Sequence, residues 1–207
     1  MKRLHPVHPA AAGALLLLAI LVLPWVRHWM EASMWRHMLV QAPLLLLAGA
    51  LAAAALPATP RRILGRWNAH GAAGLVLAAL VLALLMVPRV LDLALYRADV
   101  EAAKFAALLA AGAALALSWG PAGRVVQAFF LGNVLPMTVV VGQLYVDSPL
   151  RLCNAYLQDD QQRLGQWLIA VATALACAWL ARVAWQLVRR DLRAEPSGLE
   201  GKSASKA

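Results

Sequence analysis

The sequence predicts an all-α, polytopic transmembrane helix bundle of about six spans with both termini cytoplasmic. Three observations predict it. Hydrophobic residues fill 62% of the 207 positions and charged residues 14%, too few polar groups to coat a soluble domain. The apolar residues fall into six runs, at 10–26, 39–56, 71–87, 105–119, 125–145 and 164–187, and a helix needs roughly 20 apolar residues to cross the hydrocarbon core. Lysine and arginine are spread unevenly between alternate connections, the asymmetry that orients membrane proteins.

The first run follows Met1-Lys2-Arg3-Leu4, a start that would suit a signal peptide. Pro24-Trp25-Val26-Arg27 stands where a small-residue cleavage site belongs, so the run reads as a retained span. The second, 39–56, is preceded by the polar stretch 27–38. The third ends at Pro88, which has no N–H to continue a helix. The fourth closes on Ser118-Trp119-Gly120-Pro121. The fifth is interrupted by Gly132, Asn133, Pro136 and Thr138. Asn133 and Gln143 need partners inside the bundle, so this helix is expected to be buried against its neighbours and kinked near Pro136. The sixth leads into a basic, polar tail. Residues 1–188 form the membrane domain, and 189–207 read as a disordered cytoplasmic segment. The short connections leave no room for a separate soluble domain.

With the N-terminus inside, the cytoplasmic segments hold eleven basic residues (Lys2, Arg3, Arg61, Arg62, Arg66, Arg124, Arg189, Arg190, Arg193, Lys202 and Lys206) and the outer connections hold seven. The outer connections also carry Glu31, Asp92, Asp99, Glu101, Asp147, Asp159 and Asp160, which neutralise them. The net charge of +9 then reflects topology and attraction to anionic lipid. Basic residues dispersed among spans form no nucleic-acid surface, so the bilayer is the partner that the composition implies. Cys153, in the last outer connection, and Cys177, deep in the sixth run, lie too far apart in depth to pair. Two cysteines are also too few for an iron–sulfur or Cys-type zinc site.

Polar residues concentrate in three outer stretches. At 27–38, Met30, Met34 and Met38 recur every four residues with His37 three after Met34, a spacing that stacks them on one helical face. Thioether and imidazole suit Cu(I), while methionine is equally a gap-filler in helix packing and Trp25, Trp29 and Trp35 suit an interfacial belt. At 86–104, Asp92 pairs with Arg89 or Arg97 and Glu101 with Lys104 as interfacial ion pairs. At 147–165, Asp159-Asp160-Gln161-Gln162 are placed to cap the sixth helix, and Arg151 adds charge to the connection. His70, beside Asn68, suits capping or lipid headgroup contact. The sequence holds no nucleotide loop, paired-histidine metalloprotease helix, nucleophile elbow or histidine pair spaced for haem, so catalysis is not expected.

These stretches resemble the CtaG-like cytochrome c oxidase assembly factors. Ser33-Met34-Trp35-Arg36-His37-Met38-Leu39 followed by Ala42-Pro43-Leu44-Leu45-Leu46-Leu47-Ala48-Gly49 is similar to that family's His-Met-x-x-His-Met-Leu helix start. Leu85-Met86-Val87-Pro88 before Leu91-Asp92-Leu93-Ala94-Leu95 resembles its Trp-His-x-Pro helix end, and Leu157-Gln158-Asp159-Asp160-Gln161-Gln162 its Leu-x-Asp-Gln-Gln loop. The likeness spans most of 29–175. Ser33 replaces the family's first histidine, Leu85-Met86 its Trp-His pair, and 100–104 carries no histidine.

The resemblance implies a multi-pass protein of a bacterial inner membrane that assists maturation of a haem–copper oxidase or another copper-dependent membrane enzyme. It implies transient Cu(I) binding by Met34, His37, Met38 and Met86 at the outer face, softer ligands standing in for imidazole. It also implies docking of the acceptor on the 147–165 loop, with Asp92, Arg151, Asp159, Asp160 and Gln161 as binding or structural residues. Two alternatives stand beside it. One is a fold that persists without metal, as a non-catalytic integral subunit of a larger complex held by Gly- and Ala-rich helix faces. The other is a transporter, which the interrupted fifth run alone supports.

Overall fold

The computed structural model describes residues 9–203, with side-chain surroundings to Arg189. The signal-like start, Lys2, Arg3 and Lys206 lie outside the described residues. Nine helices are present among those described: α1 (Pro9–Val22), α2 (Pro24–Glu31), α3 (Met34–Ala54), α4 (Ala58–Trp67), α5 (Ala72–Leu85), α6 (Pro88–Tyr96), α7 (Ala98–Trp119), α8 (Arg124–Asp147) and α9 (Gln158–Ser203). α9 runs on through 189–203, the segment read from sequence as a disordered tail.

Helices α3, α7, α8 and α9 are each long and apolar enough to cross a membrane. The number becomes six if each of two bent pairs, α1 with α2 and α4 with α5, counts as one span. The bends have local causes. Pro24 opens α2, where its missing N–H is harmless, and α2 leaves α1 at 70°. α2 is also amphipathic, with Trp25 and Trp29 exposed, so it suits an interface better than the continuation of span one that its sequence run implied. Between α4 and α5 the chain turns through 85° at Gly71, whose φ of +70° only glycine adopts without strain. Pro88 opens α6 in the same manner as Pro24 opens α2.

Helix contacts are set by small residues. α3 and α7 cross where Gly49 lies against the Leu109 carbonyl and Gly112 against the Leu46 carbonyl, and a Cβ on either glycine would overlap the opposing backbone. α8 and α9 meet at Gly142 and Gly165, each facing the other's carbonyl. Gly71 and Gly74 let the start of α5 close on Ser118 of α7, where Asn68 Nδ2 donates to Ser118 Oγ at 2.7 Å and Asn68 Oδ1 accepts from Gly74 N at 3.1 Å. Lipid offers no hydrophobic drive between helices, so this close backbone approach supplies the dispersion contacts that hold them. His70, in the same turn, is exposed.

The fifth sequence run differs from expectation. α8 continues unbroken through Pro136 and buries only Phe130, Val134, Gly142 and Tyr145. Asn133 donates to the Phe129 carbonyl of its own helix at 2.6 Å, and Gln143 to Asp147 at 2.8 Å. A short amide reaches groups one turn away, so neither residue draws a neighbouring helix over itself.

Candidate functional site

The site is built at one end of the bundle, where α2, the start of α3, α6, the start of α7 and the 148–157 loop meet. The methionine stripe does not survive as one face. The helix breaks at Ala32-Ser33, so Met30 ends α2 and packs with Leu21, Leu45 and Leu108, whereas Met34 opens α3 and packs with Tyr145, Cys153, Tyr156 and Leu164. A π-helical turn at His37–Gln41 then shifts the register, and His37, Met38 and Met86 come to line a common cavity of about 70 Å³. Such single π turns recur at functional positions in helices.

The break at Ser33 is held by a residue that the sequence assigns elsewhere. Asp160 accepts from Ser33 Oγ at 2.8 and 3.0 Å and from the Met34 backbone N–H. Thus Asp160 caps the first turn of α3 from across the bundle instead of capping α9. A carboxylate beside a helix start meets both its unpaired N–H groups and the positive end of its dipole.

Behind this break lies a buried polar network centred on Lys104, only 5% exposed. Its ammonium sits 3.3 Å from Glu31 Oε1, 2.9 Å from His37 Nε2 and 3.1 Å from Gln41 Oε1, which uses all three of its protons. Gln41 Nε2 returns a bond to Glu31 Oε1 at 3.3 Å. Because Nε2 of His37 accepts from a cation, the network assigns the ring proton to Nδ1, which donates to Tyr156 Oη at 2.8 Å. Tyr156 Oη in turn donates to the Glu31 carbonyl at 3.0 Å. Arg27 extends the chain of charges, with Nη1 3.1 Å from Glu101 Oε2 and Nε 3.9 Å from Glu31 Oε2. The partners therefore differ from the sequence reading. Glu101 pairs with Arg27, Lys104 with Glu31, and Arg97 with Asp99.

The loop is fastened from beneath. Asp92 accepts from Asn154 N at 2.9 Å and Ala155 N at 3.3 Å. Gln161, buried, accepts from Leu152 N at 2.8 Å and donates to the Tyr145 and Leu150 carbonyls at 3.3 and 3.4 Å. Cys153 points inward with its thiol 3.7 Å from the Pro88 carbonyl, and burial, then the nearby Asp92 carboxylate, push its pKa up to about 12. Burial also raises the Tyr156 hydroxyl above its ordinary value, with Glu31 adding to the effect. Arg151 and Asp159 remain exposed at the rim with Arg163.

Of the four residues expected to hold Cu(I), three share the cavity wall and Met34 lies in the neighbouring core. The set does not fit a copper centre. Both ring nitrogens of His37 are engaged, and an ammonium occupies the position beside Nε2 that a metal would take, so a second cation there meets direct repulsion. Sequence reading missed Glu31, Gln41, Lys104 and Tyr156 as one group. The signal available was a lysine and a glutamine within apolar helix starts, since polar side chains at such depth are costly unless paired. No family model, curated protein or solved structure matches the chain.

Proposed function

We propose that this chain is a non-catalytic, multi-pass accessory protein of a membrane complex, an assembly factor or integral subunit that receives its partner on the 148–157 loop. One observation carries the reading. The loop is pinned from inside by Asp92 and Gln161, yet it turns Leu150 and Leu157 outward, 72% and 66% exposed, beside Arg151, Asp159 and Arg163. Apolar side chains held outward by an already ordered loop are suited to binding, because little conformational freedom is lost when a partner covers them. A groove of about 350 Å³ between Ser33, Tyr156, Leu157, Asp160 and Arg163 adjoins this surface.

The resemblance to CtaG-like assembly factors supports a haem–copper oxidase as the class of partner, and the lysine and arginine distribution supports an outer-face location in a bacterial inner membrane. The role requires no metal on this chain. Its polar end is held by its own hydrogen bonds except at Glu101 Oε1, which is buried without a partner among the described residues, and the absence of catalytic signatures from the sequence agrees with a binding role.

The test is site-specific photo-crosslinking from Leu157 in cells, beside oxidase activity in membranes from cells carrying Arg151→Glu/Asp159→Lys. A fixed-mass adduct that the charge-reversed variant loses, with oxidase activity falling several-fold, is the expected result. Absence of any adduct, with full oxidase activity, sinks the proposal. Copper content of detergent-purified wild type beside Met34→Ala/His37→Ala separates the metal question. No stoichiometric Cu(I) in either is expected, and stoichiometric Cu(I) lost in the variant would restore the copper reading.

A further inference from the structure

Three features of α8 coincide on one outward face, away from the loop surface. Gly132 has nothing within 4 Å of where a Cβ would stand, whereas Gly49, Gly74, Gly112, Gly142 and Gly165 each lie against another helix. Asn133 is exposed in the middle of a 24-residue apolar span, with one N–H on Phe129 O and its second N–H and Oδ1 without a partner among the described residues. Pro136 has no N–H to give the Gly132 carbonyl, the bond that a helix makes at that spacing. Hydrocarbon cannot satisfy these groups. Around them the face is apolar, with Phe129 and Val140 exposed, and Ala128 and Gly132 keep it low at its centre.

We propose that two copies of this chain associate through this face of α8, with Asn133 of each hydrogen-bonding across the pair. Every copy inserts in the same direction, so a two-fold axis along the membrane normal brings residue 133 to the depth of its own counterpart. A carboxamide carries both donor and acceptor, and is therefore its own complement. Gly132 allows the backbones to approach until the second Asn133 N–H reaches either the partner's side-chain oxygen or the Gly132 carbonyl that Pro136 leaves open. The face carries no charge between Val125 and Gln143, so like-charge repulsion does not oppose self-pairing.

The experiment is single-molecule photobleaching or energy transfer on the full-length chain, purified alone and reconstituted in liposomes across a dilution series. Wild type is expected to be dimeric at high protein-to-lipid ratio. Asn133→Leu is expected to raise the dissociation constant at least tenfold, and Asn133→Gln to keep most of the association. Gly132→Leu, which has open space in the monomer, is expected to weaken pairing as strongly while leaving thermal unfolding unchanged. Leu80→Ala, on the exposed face of α5, serves as the control and should pair like wild type. A wild type monomeric at every dilution, or Asn133→Leu and Gly132→Leu variants that pair normally, overturns the proposal. No oxidase or other partner is present, so failure here leaves the loop-docking reading intact, and failure of that reading leaves this one.

Discussion

Removing the Lys104 ammonium takes a donor from Glu31 Oε1, His37 Nε2 and Gln41 Oε1 together, because each accepts one of its protons, and of the three only Glu31 Oε1 keeps another, from Gln41 Nε2, among the described residues. Breaking a buried charge network from one side typically costs about 3–5 kcal/mol. Lys104→Ala is therefore expected to destabilise the detergent-solubilised protein by about 3 kcal/mol, read as a shift in its denaturation midpoint. Tyr156→Phe takes from His37 Nδ1 its only acceptor among the described residues and should cost about 1–2 kcal/mol in the same assay. Cys153 gives a pH-dependent readout. Its thiol pKa is raised from 9.0 to about 12, so in a Cys177→Ala background its alkylation at pH 8 should be suppressed by orders of magnitude relative to a free thiol. The sign for stability follows from the same shift. The unfolded thiol ionises near pH 9 while the folded one stays neutral, so stability present below pH 9 is lost progressively as pH rises from about 9 to 12. Rapid labelling at pH 8 would show the loop to be open.

At the scale of elements, the helix crossings depend on glycines whose neighbours are backbone and cannot retreat as a side chain can. Gly49→Ala and Gly112→Ala push a methyl into the Leu109 and Leu46 carbonyls of the opposing helix. Overpacking of this kind costs about 1–3 kcal/mol, so each should lower the thermal midpoint in detergent, whereas Gly65→Ala, with open space around it, should not. Asp160→Ala tests the cap across the bundle. Losing its bonds to Ser33 and the Met34 N–H should loosen the start of α3 from α9, seen as faster amide exchange at 33–37. The sequence located the long apolar helices α3, α7, α8 and α9, because twenty apolar residues have few other ways to satisfy their backbone in lipid, and it set α8 to within two residues at each end. By contrast, α7 begins seven residues before its apolar run and α9 continues sixteen beyond its own, where polar residues extend the helix. The sequence carries much less warning of α2, α4 and α6, since short amphipathic helices lack the continuous apolar signal and are set by their contact with the bundle.

For the whole molecule, charge distribution predicts a sense of insertion that a labelling experiment decides. With Cys153 and Cys177 replaced by alanine, Leu150→Cys is expected to react with an impermeant maleimide in intact cells. Labelling only after permeabilisation would reverse the orientation. The fold class, the membrane setting and the concentration of polar residues at one end follow from composition, periodicity and the placement of prolines, which act within a few residues of themselves. The pairing of Lys104 with Glu31 and His37, the capping of α3 by Asp160, and the separation of Met30 from the packing group that Met34 and Met38 share come from contacts between residues dozens to more than a hundred positions apart. An acid and a base one turn apart look paired in a linear sequence, as Glu101 and Lys104 do. Only the tertiary structure, by setting which helices cross and how deep each side chain lies, supplied Arg27 to one and Glu31 to the other.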